Sequence, residues 1–308
     1  MRIALIADTH LIVPDVKSAA LFPRRLRALP LEEQSTLYRT VALEVERAYE
    51  ACVEEIAHSQ ADAIIHLGDV TSGWGRGGMG DPSVRDMAQR CADDLRRLGK
   101  PLYCTLGNHD MGKNGRESGD LALAAEAYES IFGQLFWQFP AGDTLALGMC
   151  SPLAYYTGKD ERLLKRKRAQ EDFLADSLAA NADKRWTLYV HDPFVLGNVI
   201  RQIGPHLKRC RKIVVGHFHR PVTGRALRYF ARSPLCPLFV NDVRTRRAFR
   251  KVVVAPSTAP LWYKGYGWLQ ADIEGSKVRF QRREAQRPEG SQEVPTRSLA
   301  WCLSGLDH

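Results

Sequence analysis

The chain has 308 residues, 44% of them hydrophobic and 26% charged, a balance that builds a sizeable globular core as one large domain or two small ones. No apolar run approaches the ~20 residues of a membrane-spanning helix, and Met1-Arg2 passes straight into a strand-like run with no room for a signal peptide. Seven cysteines, an odd number without a Cys-x-x-Cys pair, argue against a disulfide framework and for a reducing, cytoplasmic setting, while the formal net charge of +9 suits an anionic partner or a basic, solvated face.

In chain order, residues 2–7 form an apolar strand that runs into Asp8-Thr9-His10. Residues 11–30, with three prolines and Arg24-Arg25, predict a loop or broken helix. Leu37, Val41, Leu43, Val45, Ala48 and Val53 recur at helical spacing and predict an amphipathic helix over 31–58. A strand over 63–67 meets Gly68-Asp69. A glycine-rich loop over 71–80 then leads to a helix over 82–98, with Pro82 in its first turn. The run 102–106 ends in Gly107-Asn108-His109-Asp110. A helix over 121–132, a strand over 144–150 and a helix over 161–181 follow, the last opening on the cationic run Lys165-Arg166-Lys167-Arg168. Strands over 185–190 and 211–215 flank a helix over 194–207 and lead to His191 and to Gly216-His217-Phe218-His219. Beyond these, short β-type runs are expected at 227–231, 237–240, 251–254, 267–273 and 277–282, the last two as a hairpin over Glu274-Gly275-Ser276. From Glu284 onward the polar chain reads as a loosely attached tail, which leaves one domain over 1–283 and a tail over 284–308.

Five strand-like runs therefore each end in a metal-competent residue, at the strand ends where open α/β sheets hold their ligands. Singly, His10 is as well explained as a turn residue, and Asp69, Asn108 and Asp110 as turn-formers beside glycine. His217 and His219 say more, because residues at i and i+2 of an extended segment face the same way. Folding stability alone does not ask for Asp, His, Asp, Asn and His at five successive strand exits, and such residues cluster at functional sites. The donor types suit manganese, iron or zinc better than calcium or a thiolate-bound zinc. Two carboxylates, four imidazoles and one amide oxygen are too many for one ion and suit two ions about 3.5–4 Å apart. Two dications, two carboxylates and a hydroxide leave a charge of about +1 and open positions, which hold an anion such as phosphate.

Asp8-x-His10, Gly68-Asp69, Gly107-Asn108-His109-Asp110, His191 and Gly216-His217-x-His219 together resemble the calcineurin-like metallophosphoesterases, in that family's order. Pro256-Ser257-Thr258 and the hairpin after it extend the likeness to about residue 283. The resemblance, nearest to the small-molecule and class III cyclic nucleotide phosphodiesterase branch, implies an α/β fold: a four-layer αββα sandwich of two mixed sheets with a binuclear metal site at one edge. It implies that Asp8, His10, Asp69 and His219 hold one ion and that Asp69, Asn108, His191 and His217 hold the other, with Asp69 bridging. His109 would face the phosphate and stabilise or protonate the leaving oxygen, with Asp110 orienting its ring, while a metal-activated hydroxide attacks phosphorus in line. The cofactors implied are two divalent transition-metal ions: manganese, iron or zinc. One departure stands out: where the family often has His-His-Pro, this chain has His191-Asp192-Pro193.

The substrate expected is a small phosphodiester or phosphomonoester. A nuclease of the same fold draws support from the net charge and from Lys165-Arg166-Lys167-Arg168, but charge runs are usually solvated helix faces. The aromatic-acidic continuation and long appended region that the nuclease branch tends to carry are missing after Gly68-Asp69. A catalytically silent scaffold conflicts with the intact donor set. Specificity is expected in the loops 11–30, 71–80 and 220–250, with Trp74, Arg76 and Arg225 as substrate contacts.

Overall fold

The computed structural model describes residues 1–13, 30–72, 78–112, 121–219, 221–259, 266–275 and 277–285. The expected contacts Trp74 and Arg76, most of the loop 11–30 and the tail beyond Ala285 lie outside the described residues. The element order is β1 (Arg2–Ile6), α1 (Leu31–His58), β2 (Ala63–His66), α2 (Pro82–Arg96), β3 (Leu102–Cys104), α3 (Leu121–Phe132), β4 (Trp137–Ala141), β5 (Thr144–Met149) and α4 (Ser151–Tyr155). It continues with α5 (Glu161–Ala180), β6 (Arg185–Val190), α6 (Ile200–Ile203), β7 (Cys210–Val215), α7 (Pro221–Phe230), α8 (Cys236–Phe239), α9 (Val243–Phe249), β8 (Val252–Val254), β9 (Gly267–Glu274) and β10 (Lys277–Glu284).

The strands form two five-stranded mixed sheets, ordered β10-β9-β1-β2-β3 and β4-β5-β6-β7-β8. Strict alternation along each strand divides its apolar residues between two cores. Ile3, Leu5, Ile65 and Leu67 meet Trp137, Phe139, Tyr189 and Val214 between the sheets. Ala4, Ile6 and Ile64 face the other way, onto Tyr38, Val41, Val45, Ala88 and Tyr128 of α1–α3. Leu147, Leu188, Ile213 and Val215 likewise pack outward, onto Leu174 and Leu178 of α5 and onto Val195 and Ile203. The result is the four-layer αββα sandwich. A strand buried on both faces reads as a continuous apolar run, which is why β1, β2, β6 and β7 are visible in the sequence.

Register brings the strand ends level. Ile6 pairs with His66, and His66 with Cys104, across the first sheet. Met149, Val190 and Val215 pair across the second. Each donor-bearing segment follows one of these aligned ends, so the donors collect at a single edge of the sandwich.

Three expectations are corrected. Residues 227–231 and 237–240 are helical, in α7 and α8, rather than strands. Leu227 and Ala231, four apart, both pack into the second sheet's outer core, so tertiary contacts override the β-prone composition. The helix expected over 194–207 is broken into a 3-10 turn over Pro193–Gly197, α6 and a further turn, with Gly197, Gly204 and Pro205 as the breakers. Strand β4 went unread because it contains Pro140; it is the edge strand of its sheet, where proline is tolerated, and turns Trp137, Phe139 and Ala141 inward. Among the described residues no helix is long and apolar enough to cross a membrane, and six cysteines, Cys104 and Cys150 included, are free and buried.

Candidate metal centre

Each turn that leaves a strand is shaped by backbone before any donor is placed. Among the described residues, the non-glycine positions with left-handed backbone are Asp8 (φ 51°), His10 (φ 46°), Asp69 (φ 52°), His217 (φ 63°) and His219 (φ 55°). All five belong to the expected ligand set. Such a conformation costs about 1 kcal/mol or more at each residue and clusters at functional sites. It also corrects the reason given for His217 and His219: they converge through successive left-handed turns, not through the pleat of an extended strand. Gly107 is forced by proximity, since a Cβ there would run into the carboxylate and amide of Asp69.

The two aspartates are held in the same manner. Asp8 Oδ1 accepts from the His217 amide at 2.9 Å, and Asp69 Oδ1 accepts from the His109 amide at 2.9 Å. Each keeps its other oxygen for the interior of the site. Asp69 Oδ2 lies 3.1 Å from His191 Nε2 and 3.9 Å from His10 Nε2, between two donor groups. On one side, ligand atoms of Asp8, His10 and His219 lie within 4.8 Å of one another; on the other, those of Asp69, His191 and His217 do so. Asn108 Oδ1 completes the second group, 3.1 Å from both His191 Nε2 and His217 Nδ1. His109 also comes close to His10 and Asp69, in a third set of that size.

Hydrogen bonds fix the ring orientations. His191 Nδ1 donates to the Leu67 carbonyl (2.9 Å), which leaves Nε2 facing the site. His109 Nδ1 donates to the Ser72 carbonyl at 2.6 Å. This corrects the part expected of Asp110. Its carboxylate does not touch the His109 ring but accepts the amides of Asp69 (2.9 Å), Gly107 (3.0 Å) and Thr71 (3.2 Å). Asp110 thus ties two strand exits together, and Ser72, which no side-chain pattern could have flagged because it acts through its carbonyl, orients the ring.

Two further residues escaped the sequence reading. His66, fully buried in β2, accepts the Gly68 amide at Nδ1 (3.1 Å), so its Nε2–H faces Thr9 Oγ1 (3.1 Å), which in turn donates to the Val70 carbonyl (2.7 Å). This chain fastens the turn carrying Asp8 and His10 to the turn carrying Asp69. Asp192, the departure from His-His-Pro, caps the turn after β6 by accepting the Phe194 amide (2.8 Å) and receives the Tyr155 hydroxyl (2.7 Å). Phe194, 52% exposed, stands edge-on to Phe218 at 5.6 Å, and Phe218 lies 5.7 Å from the His217 ring. Aromatic side chains therefore flank the second donor group. Arg225 is exposed on α7.

The charge balance shows what the site lacks. Burial, reinforced by Asp69, pushes the Asp8 carboxyl up to about 7, and burial together with Asp69 takes Asp110 to about 6. Burial works against a charge on His191, yet the Asp69 and Asp8 carboxylates outweigh it and lift that imidazole to about 10. Burial and the neighbouring His109 bring His10 down to about 3. The cluster draws positive charge to itself, here as protons. Among the described residues, buried Asp8 Oδ2 and His10 Nε2 hydrogen-bond to nothing, and a buried polar atom without a partner needs an explanation. Oxygen and imidazole donors turned inward around a demand for positive charge fit two divalent ions.

Comparison with known proteins agrees with this geometry. The model of the calcineurin-like phosphoesterase family matches residues 1–221, which include every donor described above. A dimetal phosphatase from Danio rerio superposes over 93% of this chain and 97% of its own with a TM-score of 0.50 at 13% identity. A purple acid phosphatase from yellow lupin superposes over 95% of this chain with a TM-score of 0.52 at 9% identity, and this chain spans 52% of that one. At such identities the likeness is one of fold. No curated protein sequence matches significantly. The family match over most of the chain, on a sandwich whose strand exits converge as described, makes this protein a member of the calcineurin-like phosphoesterases, metal-dependent hydrolases of phosphoric esters built on a binuclear centre.

Proposed function

We propose that the protein hydrolyses a phosphodiester or phosphomonoester of a small molecule, with one ion held by Asp8, His10, Asp69 and His219 and the other by Asp69, Asn108, His191 and His217. The observation that carries this reading is the place of Asp69 Oδ2, shared between the two donor groups. When bound, the two ions polarise the phosphoryl oxygens and lower the pKa of the attacking water. The chain's own task is positioning. Backbone amides of His217 and His109 hold Asp8 and Asp69 so that only one oxygen of each turns inward. His109, with its Nδ1–H on the Ser72 carbonyl, presents Nε2 as the atom from which a proton reaches the leaving oxygen. Tyr155, Phe194 and Phe218 give a substrate with a flat leaving group an apolar surface beside that oxygen. Free, buried cysteines are in keeping with a reducing cytoplasm.

The test compares bis(p-nitrophenyl) phosphate, p-nitrophenyl phosphate and duplex DNA as substrates in manganese, zinc and iron. Metal-dependent turnover of a small ester, with DNA left intact, is expected. Cleavage of DNA at rates above either small ester would replace this reading with a nuclease, and inactivity of the metal-loaded protein on all three would favour a binding scaffold.

A further inference from the structure

Residues 201–251 carry fourteen lysines and arginines against one acid, Asp242. The stretch thus holds more positive charge than the net +9 of the whole chain, and everything outside it is net acidic. It forms one lobe. Helix α7 packs on β8, and Leu227, Ala231, Ala248 and Phe249 enter the outer core of the second sheet. Its cations are anchored by neutral groups. Arg228 donates to the Val252 carbonyl, Arg250 to the Ala231 carbonyl (3.0 Å) and Lys251 to the Cys210 carbonyl. A carbonyl fixes a cation without cancelling its charge, and among the described residues no ion pair involves this stretch. The cations repel one another as well: after burial, Arg225 and Arg232 hold Arg228 below its usual range, and Arg228 and Lys251 do the same to Lys212.

Apolar side chains stand out in the same lobe. Tyr229 is 81% exposed at the end of α7, Leu235 58% exposed before α8, and Val243 48% exposed at the start of α9. Single exposed apolar residues are ordinary, but these three fall within fifteen residues that also hold Arg232 and Arg244. A nucleic acid would account for the arginines and could stack a base on Tyr229. Its sugar-phosphate surface offers nothing to Leu235 and Val243. The headgroup layer of an anionic bilayer accommodates all of them: phosphates for guanidinium groups, the interface for a tyrosine, and the acyl boundary for leucine and valine.

We propose that the lobe formed by α7, α8 and α9 docks this phosphoesterase on an anionic lipid surface, through electrostatic attraction of its arginines and shallow insertion of Tyr229, Leu235 and Val243. Each basic side chain at an anionic leaflet strengthens binding about fivefold. The test is co-sedimentation of the full chain with phosphatidylcholine vesicles, with vesicles containing phosphatidylglycerol, and binding to a DNA and an RNA oligonucleotide, in low and high salt. The wild-type protein should bind the anionic vesicles, ignore the neutral ones and prefer vesicles to oligonucleotides. Exchanging Arg232, Arg244 and Arg247 together for Gln should weaken vesicle binding about 100-fold. Tyr229→Ser with Leu235→Ser should remove the residual binding that survives about 1 M salt, where charges are screened beyond about 3 Å. Both variants should keep wild-type turnover of a small phosphoester, which shows that they are folded. Failure of the wild-type protein to distinguish anionic from neutral vesicles overturns the proposal without any variant. Binding to oligonucleotides in place of vesicles, or vesicle binding that neither variant weakens, overturns it too.

Discussion

The strand exits and the helical lobe over 221–250 lie side by side, yet they handle charge in opposite ways. At the exits, polar side chains are buried on strained backbone, and every oxygen or nitrogen has one assigned direction. In the lobe, guanidinium groups are exposed or half-buried and rest on whichever carbonyl is near. Position is everything in the first region, because a buried donor displaced by one residue leaves a neighbour unsatisfied at a cost of about 1–3 kcal/mol. Summed charge matters in the second, because exposed cations act through a field and not through a fixed contact. Five left-handed residues at about 1 kcal/mol or more each rival the 5–15 kcal/mol net stability of an ordinary domain. The exits are therefore held by the sandwich beneath them, and ligand binding would offset part of that strain. Single substitutions should be drastic at the exits and nearly silent among exposed cations.

The most damaging change expected is Asp69→Ala, which removes the oxygen between the two donor groups. Metal content and phosphoesterase activity should fall together to background, read by metal analysis and hydrolysis of bis(p-nitrophenyl) phosphate. Retention of a full metal complement would show that Asp69 is not shared. His109→Ala comes next: turnover should drop ~100-fold or more, the scale of general acid–base catalysis, while the metals stay bound. Because His109 also comes near His10 and Asp69, an emptied site in this variant would move it from the substrate's side to the ligands.

His66→Ala probes the hydrogen bonds behind the donors. Loss of the His66–Thr9–Val70 chain should weaken metal binding by roughly 10-fold, the low end for residues that support ligands, with kcat near wild type once metal is saturating. An unchanged metal affinity would reduce His66 to a core residue.

How much of this was legible follows the same division. The strands that end in Asp8, Asp69, Asn108, His191 and His217 are buried on both faces, so composition alone marks them, and the glycines at 68, 107 and 216 mark where each one stops. The lobe is different. Leu227, Tyr229 and Phe230 are β-prone, and only their packing on β7 and β8 makes them helical, a long-range fact that no local window contains. Ser72 and Asp110 were misjudged for a related reason. Ser72 acts through its carbonyl, and Asp110 binds three backbone amides, neither of which a side-chain pattern encodes.

The smallest effect is expected on α5. Arg166 is already paired with Glu129 of α3 at 2.9 Å, and Lys167 donates to the Tyr156 carbonyl at 2.8 Å, while Lys165 and Arg168 are exposed. Exchanging all four for Gln should leave small-ester turnover unchanged and cost about 1 kcal/mol or less of stability, as for surface ion pairs. A large loss of turnover would mean that exposed cations do take part in the chemistry and would erase the contrast between the two regions.

The central claim is that the strand exits form one binuclear centre. Its most direct test is the number of metal ions bound per chain, measured by elemental analysis of protein reconstituted with manganese, zinc or iron and freed of excess metal. Two ions per folded chain, with a melting temperature that rises with metal concentration as binding to the native state requires, is the result predicted. No bound ion, or one ion whose binding survives Asp69→Ala, would contradict it.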